Sequence, residues 1–256
     1  MKAVIFAGGL GTRMSELTKE TPKPMVRIGD EPILWHIMKI YSSYGVRDFI
    51  VCAGYRQEVI KKYFSDYHLK MQDATFDLRS GEVKFLSESV ENWTVTVIDT
   101  GLETGTGGRL RRIEEYIGDN RFFCTYGDGV ADIDLSSLLK CHIESKKALT
   151  ISVHEPTGKL GVVDIDDTGN VNGFIEKPRL GGSWINAGFF VCEPEIFEYI
   201  KDDREMFEKQ PMTKLVSAKK VNSYRHKGFW KPMDTLKDNL ELNDLWIKNK
   251  APWRVW

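Results

Sequence analysis

The chain has 256 residues, 41% hydrophobic and 29% charged, which is the composition of an ordinary globular protein with one sizeable core. Its 36 basic and 37 acidic side chains give a net charge of −1, so no broad polyanion-binding face and no nucleic-acid partner are expected. No stretch reaches the roughly 18 apolar residues of a membrane helix, so no membrane partner is expected either. The cysteines form no C-x-x-C pair and are interpreted as reduced thiols of a cytoplasmic protein.

The first half of the chain alternates short apolar strands with amphipathic helices. Strands are predicted at residues 4–7, 49–53 and 122–126, and helices at residues 32–44, 59–67 and 107–117. This alternation predicts a Rossmann-like α/β fold, in which a mixed, mostly parallel sheet is flanked by helices on both faces.

The second half contains more strand signals. Residues 75–99 carry a hairpin pattern around Ser80-Gly81 and an alternating strand at 94–98, and are predicted to form a β insertion. Further strands are predicted at 149–154, 160–165, 171–175 and 187–192, and a last helix at 236–248. Since neither a repeat nor a linker interrupts the chain, residues 1–256 are interpreted as a single domain.

A glycine-rich loop follows the first strand. It reads Gly8-Gly9-Leu10-Gly11-Thr12-Arg13, and Thr21-Pro22-Lys23-Pro24-Met25 comes shortly after it. Glycines after a strand let backbone N–H groups approach a phosphate, Arg13 adds a forked cation, and the two prolines limit where the Lys23 ammonium can go. The loop is not the G-x-G-x-x-G of dinucleotide-binding oxidoreductases. A plain glycine turn beside a surface arginine and lysine remains the structural alternative.

Two aspartates are candidate metal ligands. Asp128, in Tyr126-Gly127-Asp128-Gly129, follows a strand at the carboxyl edge of the predicted sheet, where α/β proteins bind ligands, and Asp234 precedes the last helix. Mg²⁺ on a triphosphate uses few protein carboxylates and completes its shell with phosphate oxygens. The alternatives are a turn-capping role for Asp128 and a helix N-cap for Asp234.

The histidines and the C-terminal tryptophans are interpreted as structural residues and not as ligands. The five histidines show no paired metal-ligand spacing, and His36 is interpreted as a residue on a helix face. Trp246, Trp253 and Trp256 are interpreted as packing or interface anchors.

The glycine loop and the Thr-Pro-Lys-Pro segment together resemble the signature of sugar-phosphate nucleotidyltransferases, and the resemblance extends over the whole chain. It implies the nucleotide-diphospho-sugar transferase fold and the attack of a sugar 1-phosphate on the α-phosphorus of a nucleoside triphosphate. It also implies that the catalytic residues are Arg13, Lys23, Asp128 and Asp234, and that the two aspartates hold Mg²⁺.

The same resemblance implies two groups of binding residues. Those for the nucleotide are Ala7, Gly8, Gly9, Gly11, Thr12, Arg13, Lys23, Thr106, Gly107, Arg109, Arg111 and Asp128, with backbone groups around Gly8 and 105–108 as readers of the base. Those for the sugar phosphate are Glu176, Lys177, Asn186 and Gly188. By itself, an exposed Glu-Lys pair is usually only a solvated surface.

Several segments narrow the resemblance to the glucose-1-phosphate cytidylyltransferases: 32–39, 76–77, 97–101, 106–110 and 228–234. The chain reads Thr-Gly-Thr-Gly-Gly-Arg at 104–109, where thymidylyl and uridylyl relatives commonly have a Gln- or Ala-containing loop. The expected substrates are therefore CTP and glucose 1-phosphate. A homo-oligomer, hexameric or built from trimers, is also implied, with contacts from 75–99 and from a C-terminal sugar, metal and interface region at 200–256.

Two alternative functions stay open. One is the same reaction with another nucleotide or another sugar 1-phosphate. The other is a non-catalytic regulator that binds sugar phosphate, but such a protein would be expected to have lost Lys23, Asp128 or Asp234, which this chain keeps.

Overall fold

The computed structural model describes residues 1–86, 90–156, 162–165, 171–175 and 184–256, and for Arg13, Ser15, 162–165 and 171–175 the backbone alone. The strands over these residues are β1 (Lys2–Ala7), β2 (Arg27–Ile28), β3 (Glu31–Pro32), β4 (Asp48–Ala53), β5 (Ala74–Asp77), β6 (Glu82–Phe85), β7 (Thr94–Asp99), β8 (Phe122–Tyr126), β9 (Gly129–Ala131), β10 (Leu149–His154), β11 (Val162–Ile165), β12 (Val171–Ile175), β13 (Ile185–Cys192), β14 (Val221–His226) and β15 (Trp230–Pro232). The α-helices are α1 (Ser15–Thr18), α2 (Ile33–Ser43), α3 (Gln57–Ser65), α4 (Tyr67–Met71), α5 (Thr106–Arg111), α6 (Glu114–Ile117), α7 (Leu135–Ser145), α8 (Gln210–Ser217) and α9 (Leu236–Ile247).

The central sheet has the strand order β14-β10-β13-β8-β1-β4-β7. The neighbours β8, β1, β4 and β7 are parallel to one another, β14 is parallel to β10, and β13 is antiparallel to both of its neighbours. This arrangement confirms the predicted mixed, mostly parallel sheet. The carboxyl ends of β1, β4, β7 and β8 therefore meet at one edge.

Helices cover both faces of this sheet, which explains the continuous apolar runs in its strands. Alternate residues of β1 point to opposite sides, so that Ala3 and Ile5 join one core cluster while Val4 and Phe6 join the other. The first cluster is packed under α2, α7 and α9, and the second under α5, α6 and α8. The sheet is thereby fixed on both sides, and its carboxyl edge remains open.

The prediction that 75–99 forms a β insertion is wrong for the last strand of this segment. β7 pairs in parallel with β4 and forms the edge of the main sheet. Val95 and Val97 pack on one core cluster and Ile98 on the other, so β7 is covered on two faces like the rest of the sheet. Only the β5–β6 hairpin lies apart from it. The single helix predicted at 107–117 is also divided, because Ile113 has φ −111° and ψ 6° between α5 and α6.

A short antiparallel ribbon was not predicted from the sequence. β9 pairs with β15 so that Gly129 lies opposite Pro232, and the Met233 N–H donates to the Asp128 carbonyl at 2.8 Å. Each strand has three residues, which is too short for an alternation pattern to be recognised. The ribbon brings two segments that are distant in sequence to the same edge of the sheet.

None of the described helices is long and apolar enough to cross a membrane. Cys52, Cys124 and Cys192 are buried free thiols and Cys141 is partly buried, in agreement with their interpretation as unpaired cysteines.

Trp35 and three C-terminal tryptophans surround the imidazole of His36 on α2. Ring centroids lie 4.6 to 6.2 Å from that of His36 for Trp35, Trp246, Trp253 and Trp256. His36 Nε2 lies 2.9 Å from the Ile28 carbonyl, and the Trp253 indole N–H donates to Nδ1 at 3.4 Å. The neutral imidazole, with its proton on Nε2, satisfies both contacts. Burial lowers the pKa of His36 to about 4, which the Ile28 hydrogen bond offsets only in part. The packing role of these residues is thus confirmed.

We predict that acidification destabilises the fold through His36. Its folded pKa lies below the unfolded value, so the stabilisation is complete above the unfolded pKa of about 6.5 and is lost as pH falls toward the folded value. Between pH 7 and pH 5 the loss amounts to about 2 kcal/mol. Urea unfolding at both pH values measures it. His36→Gln should flatten this dependence, whereas His68→Gln, at an exposed position, should leave it unchanged. Equal pH dependences in wild type and His36→Gln would contradict the assignment.

Candidate active site

A cavity of about 820 Å³ opens at the carboxyl edge of the sheet, a volume that suits small-molecule substrates. Its walls come from seven segments of the chain: the glycine loop, the Lys23 turn, 102–106 with Arg109, 125–129, 186–189, 204–208 and 230–234. The segments that follow β1 and β8 belong to this lining because parallel strands end together. Several of the predicted site residues therefore lie around one volume.

The side chain of Lys23 lies between two carboxylates inside this cavity. Its Nζ is 2.6 Å from Asp128 Oδ2 and 2.6 Å from Asp234 Oδ1. Lys23 begins a 3-10 turn whose preceding residue, Pro22, is extended at φ −64° and ψ 145°. The next residue, Pro24, packs against Gly127, where an added Cβ would lie 3.0 Å from the proline ring. The prolines thus hold the lysine in place, as their positions in the sequence suggest.

Asp234 does not cap the last helix, so the N-cap interpretation is wrong. The N-cap of α9 is Thr235, which accepts from the Asp238 N–H at 3.2 Å while Asp238 accepts from the Thr235 N–H at 2.9 Å. This reciprocal pair is a capping box and satisfies the first turn of the helix. The Asp234 carboxylate is therefore available to Lys23.

The charge of Lys23 is maintained by its neighbours. Burial has the largest single effect and lowers its pKa, but the combined attraction of Asp128 and Asp234 outweighs burial and the net shift is upward. The ammonium is consequently charged at neutral pH. A cation between the two carboxylates offsets their mutual repulsion in a partly dehydrated site.

The glycine loop lines the cavity with Ala7, Gly8, Gly9, Leu10, Gly11 and Thr12. Gly11 has φ +64°, and its carbonyl accepts from the Thr18 hydroxyl and the Met14 N–H, both at 2.9 Å. The loop thus has a fixed left-handed bend that favours glycine. Arg13 lies in the turn Thr12–Met14, and its side chain is outside the described part of the chain, so its phosphate-binding role stays a prediction.

Arg109 joins the ends of three strands behind the glycine loop. Its Nη1 donates to Ala53 O at 3.1 Å, Thr100 Oγ1 at 2.6 Å and Gly101 O at 2.8 Å, and its Nη2 donates to Gly8 O at 3.0 Å. A Cβ at Gly8 would lie 2.0 Å from this guanidinium, which explains the glycine there. Arg109 lines the cavity, but the structure shows it mainly as a cross-link. Its contact with a nucleotide stays a prediction.

Arg111 is not brought to the cavity. Side chains two positions apart on an α-helix, such as those of Arg109 and Arg111, point in nearly opposite directions. Arg111 is exposed, and its guanidinium donates to the Lys201 carbonyl at 3.1 Å.

The glycines that follow Thr104 pack against the backbone of 203–205, and the base-reading role expected of 105–108 stays a prediction. Gly105 N–H donates to Asp203 O and Gly107 N–H to Glu205 O, both at 2.9 Å, so these predicted readers of the base are already paired. A Cβ at Gly108 would lie 1.9 Å from the Asp203 carbonyl oxygen. Gly107 lies outside the cavity lining, whereas Gly105 and Thr106 belong to it.

A hydrogen-bond network in the same cavity includes residues that sequence reasoning missed. The Tyr126 hydroxyl donates to Glu208 Oε1 at 2.6 Å and lies 3.2 Å from Asn186 Nδ2, whose Oδ1 accepts from the Gly188 N–H at 2.8 Å. Thr106 Oγ1 donates to Glu208 Oε2 at 2.7 Å. Burial raises the pKa of Tyr126 well above its usual range, and the Glu208 carboxylate adds to that rise. Glu208 stands in a charged loop with no local motif, so no sequence signal could have indicated it.

The remaining two predicted sugar-phosphate residues, Glu176 and Lys177, lie outside the described residues. Their roles stay predictions.

Comparison with known proteins identifies the family. Residues 2–247 match the nucleotidyl transferase family. The chain belongs to this family. The glucose-1-phosphate cytidylyltransferase of Salmonella typhi is 48% identical over 100% of both chains. The probable glucose-1-phosphate cytidylyltransferase of Bacillus subtilis (strain 168) is 45% identical, again over 100% of both.

Solved structures of other proteins share the fold of this nucleotidyl transferase. HddC from Yersinia pseudotuberculosis superposes with a TM-score of 0.68 at 24% identity, covering 96% of this chain and 99% of its own. A UDP-glucose pyrophosphorylase complexed with UDP-glucose gives a TM-score of 0.69 at 18% identity, covering 97% and 98%. At these identities the likeness concerns the fold alone, and it confirms the expected nucleotide-diphospho-sugar transferase fold.

Proposed function

We propose that this protein transfers a cytidylyl group from CTP to α-D-glucose 1-phosphate, giving CDP-glucose and pyrophosphate. The observation that carries the reaction class is the Lys23–Asp128–Asp234 cluster, which lies in a substrate-sized cavity beside the glycine loop. The choice of substrates is supported by the 45% and 48% identity to cytidylyltransferases over the full chain.

The residues present fit a Mg²⁺ ion held by Asp128 and Asp234. The Lys23 ammonium, 2.6 Å from each carboxylate, is a stand-in cation and marks a position built for positive charge. Within the described ranges no group of three or more His, Cys, Asp or Glu side chains is arranged for a metal. Two carboxylates suit Mg²⁺ on a triphosphate, since phosphate oxygens and water complete its shell. When bound, the ion would supply charge neutralisation along the triphosphate.

The chain's own residues then act by positioning and charge. The sugar phosphate is already ionised near neutral pH, because the second pKa of a phosphate is about 6, so its oxygen needs no general base to attack the α-phosphorus in line. The N–H groups of 8–11 are expected to bind the phosphates, together with Arg13. Lys23, once released from the carboxylates, is placed to neutralise charge at the α-phosphoryl group. Lys177 is expected to offset repulsion between the two anionic substrates.

The Lys23–Asp128–Asp234 cluster also distinguishes between the alternative functions. A non-catalytic regulator has no need for Lys23, Asp128 and Asp234 to converge, and their 2.6 Å contacts favour an enzyme. Use of another nucleotide or another sugar phosphate is an alternative that only an activity measurement decides.

We predict that CTP is preferred over UTP. Cytosine presents a 4-amino donor where uracil presents an acceptor, so a site built for the donor leaves a buried acceptor unpaired with UTP. A pyrophosphate-release assay with glucose 1-phosphate should give a kcat/KM for CTP on the order of 10- to 100-fold above that for UTP. GTP and ATP complete the comparison. Equal efficiency with CTP and UTP would contradict cytidylyl specificity and leave nucleotidyl transfer standing.

We also predict that Lys23 competes with a divalent ion for the two carboxylates. Mn²⁺ binding, followed by electron paramagnetic resonance of the free protein, should be lost in Asp128→Asn and Asp234→Asn. In Lys23→Met it should strengthen, by roughly tenfold, because the carboxylates lose their ammonium partner. Turnover of Lys23→Met should nevertheless fall by about 10²–10³.

Lys19→Met, at an exposed position, is the matched control and should change neither quantity. Unchanged Mn²⁺ affinity in Lys23→Met would show that the ammonium does not hold the place of the ion. Near-normal turnover in both folded aspartate variants would remove the pair from the reaction.

We further propose a homo-oligomer, hexameric or built from trimers, with the β5–β6 hairpin as a contact. Phe76, Leu78 and Val83 on this hairpin are 56%, 94% and 45% exposed, an apolar surface that a second copy of the chain would cover. Light scattering should give a multiple of 29.4 kDa, and Phe76→Glu should reduce it. Val216→Glu, at an equally exposed apolar position on α8, should not. A wild-type mass of one chain at micromolar concentration would contradict the proposal.

A further inference from the structure

An acidic side chain in a cavity for two anionic substrates needs an explanation. Asp128 and Asp234 are explained by their shared cation, but Glu208 also belongs to the lining and its described partners are hydroxyl groups. A carboxylate repels phosphate and accepts hydrogen bonds from hydroxyls. The wall around Glu208 therefore suits the uncharged, hydroxyl-bearing part of a substrate.

Both oxygens of Glu208 are held by the protein. Oε1 accepts from Tyr126 at 2.6 Å and Oε2 accepts from Thr106 at 2.7 Å. The Thr106 oxygen in turn accepts the Phe207 N–H at 2.9 Å, which directs its proton toward the carboxylate. The carboxylate thus has one orientation and determines the direction of the Tyr126 O–H.

The direction of that O–H determines the orientation of Asn186. Because the Tyr126 hydroxyl donates its hydrogen bond to Glu208, the lone pairs of the Tyr126 oxygen can accept from the Asn186 amide N–H, at 3.2 Å. The other end of the amide accepts the Gly188 N–H at 2.8 Å. The two contacts distinguish the nitrogen from the oxygen of the amide, so Asn186 has a defined donor and acceptor direction at the cavity wall.

Packing fixes the tyrosine ring itself. Gly188 has φ +81°, and a Cβ there would lie 2.5 Å from the Tyr126 ring, so the strand approaches the ring as closely as a glycine allows. The rings of Phe6 and Phe190 lie 5.8 and 5.7 Å from that of Tyr126. The ring cannot move aside to compensate for a lost hydroxyl partner.

The strand order shows which substrate this wall faces. The glycine loop follows β1, Asp128 follows β8, and Asn186 lies on β13, on the far side of β8 from β1. With the triphosphate on the glycine loop and the reacting phosphorus beside Asp128, the second substrate occupies the β13 side.

We propose that Glu208 is a positioning residue for the hexose of the sugar 1-phosphate, acting through Tyr126 and Asn186. This inference rests on the proposed function. Glu208 orients the Tyr126 hydroxyl, the hydroxyl orients the Asn186 amide, and the amide meets the hydroxyl groups of the hexose.

Steady-state kinetics with each substrate varied in turn test the proposal. In Glu208→Gln an NH₂ replaces one carboxylate oxygen, so only one of the Tyr126 and Thr106 hydroxyls can still donate to this side chain and the orientation of the network is no longer fixed. The KM for glucose 1-phosphate should rise roughly tenfold while the KM for CTP stays unchanged. Tyr126→Phe should give the same split. In the Tyr126→Phe background, Glu208→Gln should add little, because the hydroxyl through which it acts is gone.

Glu198→Gln, at an exposed position, is the matched control and should change neither KM. Equal increases in both KM values, or fully additive effects of the two substitutions, would overturn the positioning role. Should Glu208→Gln fail to fold, Tyr126→Phe gives the same split or overturns the proposal by itself. Absence of cytidylyl transfer in the wild-type protein would instead refute the proposed function, so the two failures are distinguishable.

Discussion

The arrangement of the whole site depends on one partly buried ammonium between two carboxylates. Lys23 lies 2.6 Å from both Asp128 and Asp234, and no neighbouring pair of elements could bring these three groups together by itself. A charge removed from water is tolerated only when it is paired, so a lysine on one turn constrains two aspartates that come from distant segments. Under the proposed function, a metal ion of higher charge would take the place of this ammonium when a triphosphate enters.

The surroundings of this cluster use one arginine for structure. The Arg109 guanidinium holds strand ends and the carbonyl of Gly8, and under the proposed function the N–H groups of the glycine loop would bind the phosphates. Glu208, Tyr126 and Thr106 form a network of hydroxyl and carboxylate groups in the same cavity. Under the proposed function, the cavity would bind phosphates at the glycine loop and hydroxyl groups at this network.

Several parts of the structure could be predicted because their causes are local. The apolar runs at 4–7, 49–53 and 122–126 predict strands buried on both faces, and the observed sheet agrees. The left-handed bend at Gly11 and the prolines around Lys23 act on their own backbone, so their effect was readable from the sequence. The packing role of the glycines at 107 and 108 could not be predicted, because the partner that requires them is the backbone of 203–205, about a hundred residues further along.

The sequence by itself determined the sheet class, the phosphate loop and the residue types of the site, since periodicity and turn chemistry depend on near neighbours. Only the tertiary structure decided how those residues meet. The β9–β15 ribbon, too short to leave a pattern, sets Asp128 beside Asp234, and Thr235 caps α9 so that the aspartate does not. Glu208 reaches Tyr126 through the packing of one loop on α5. Such pairings arise from long-range contacts, and no local property of the chain records them.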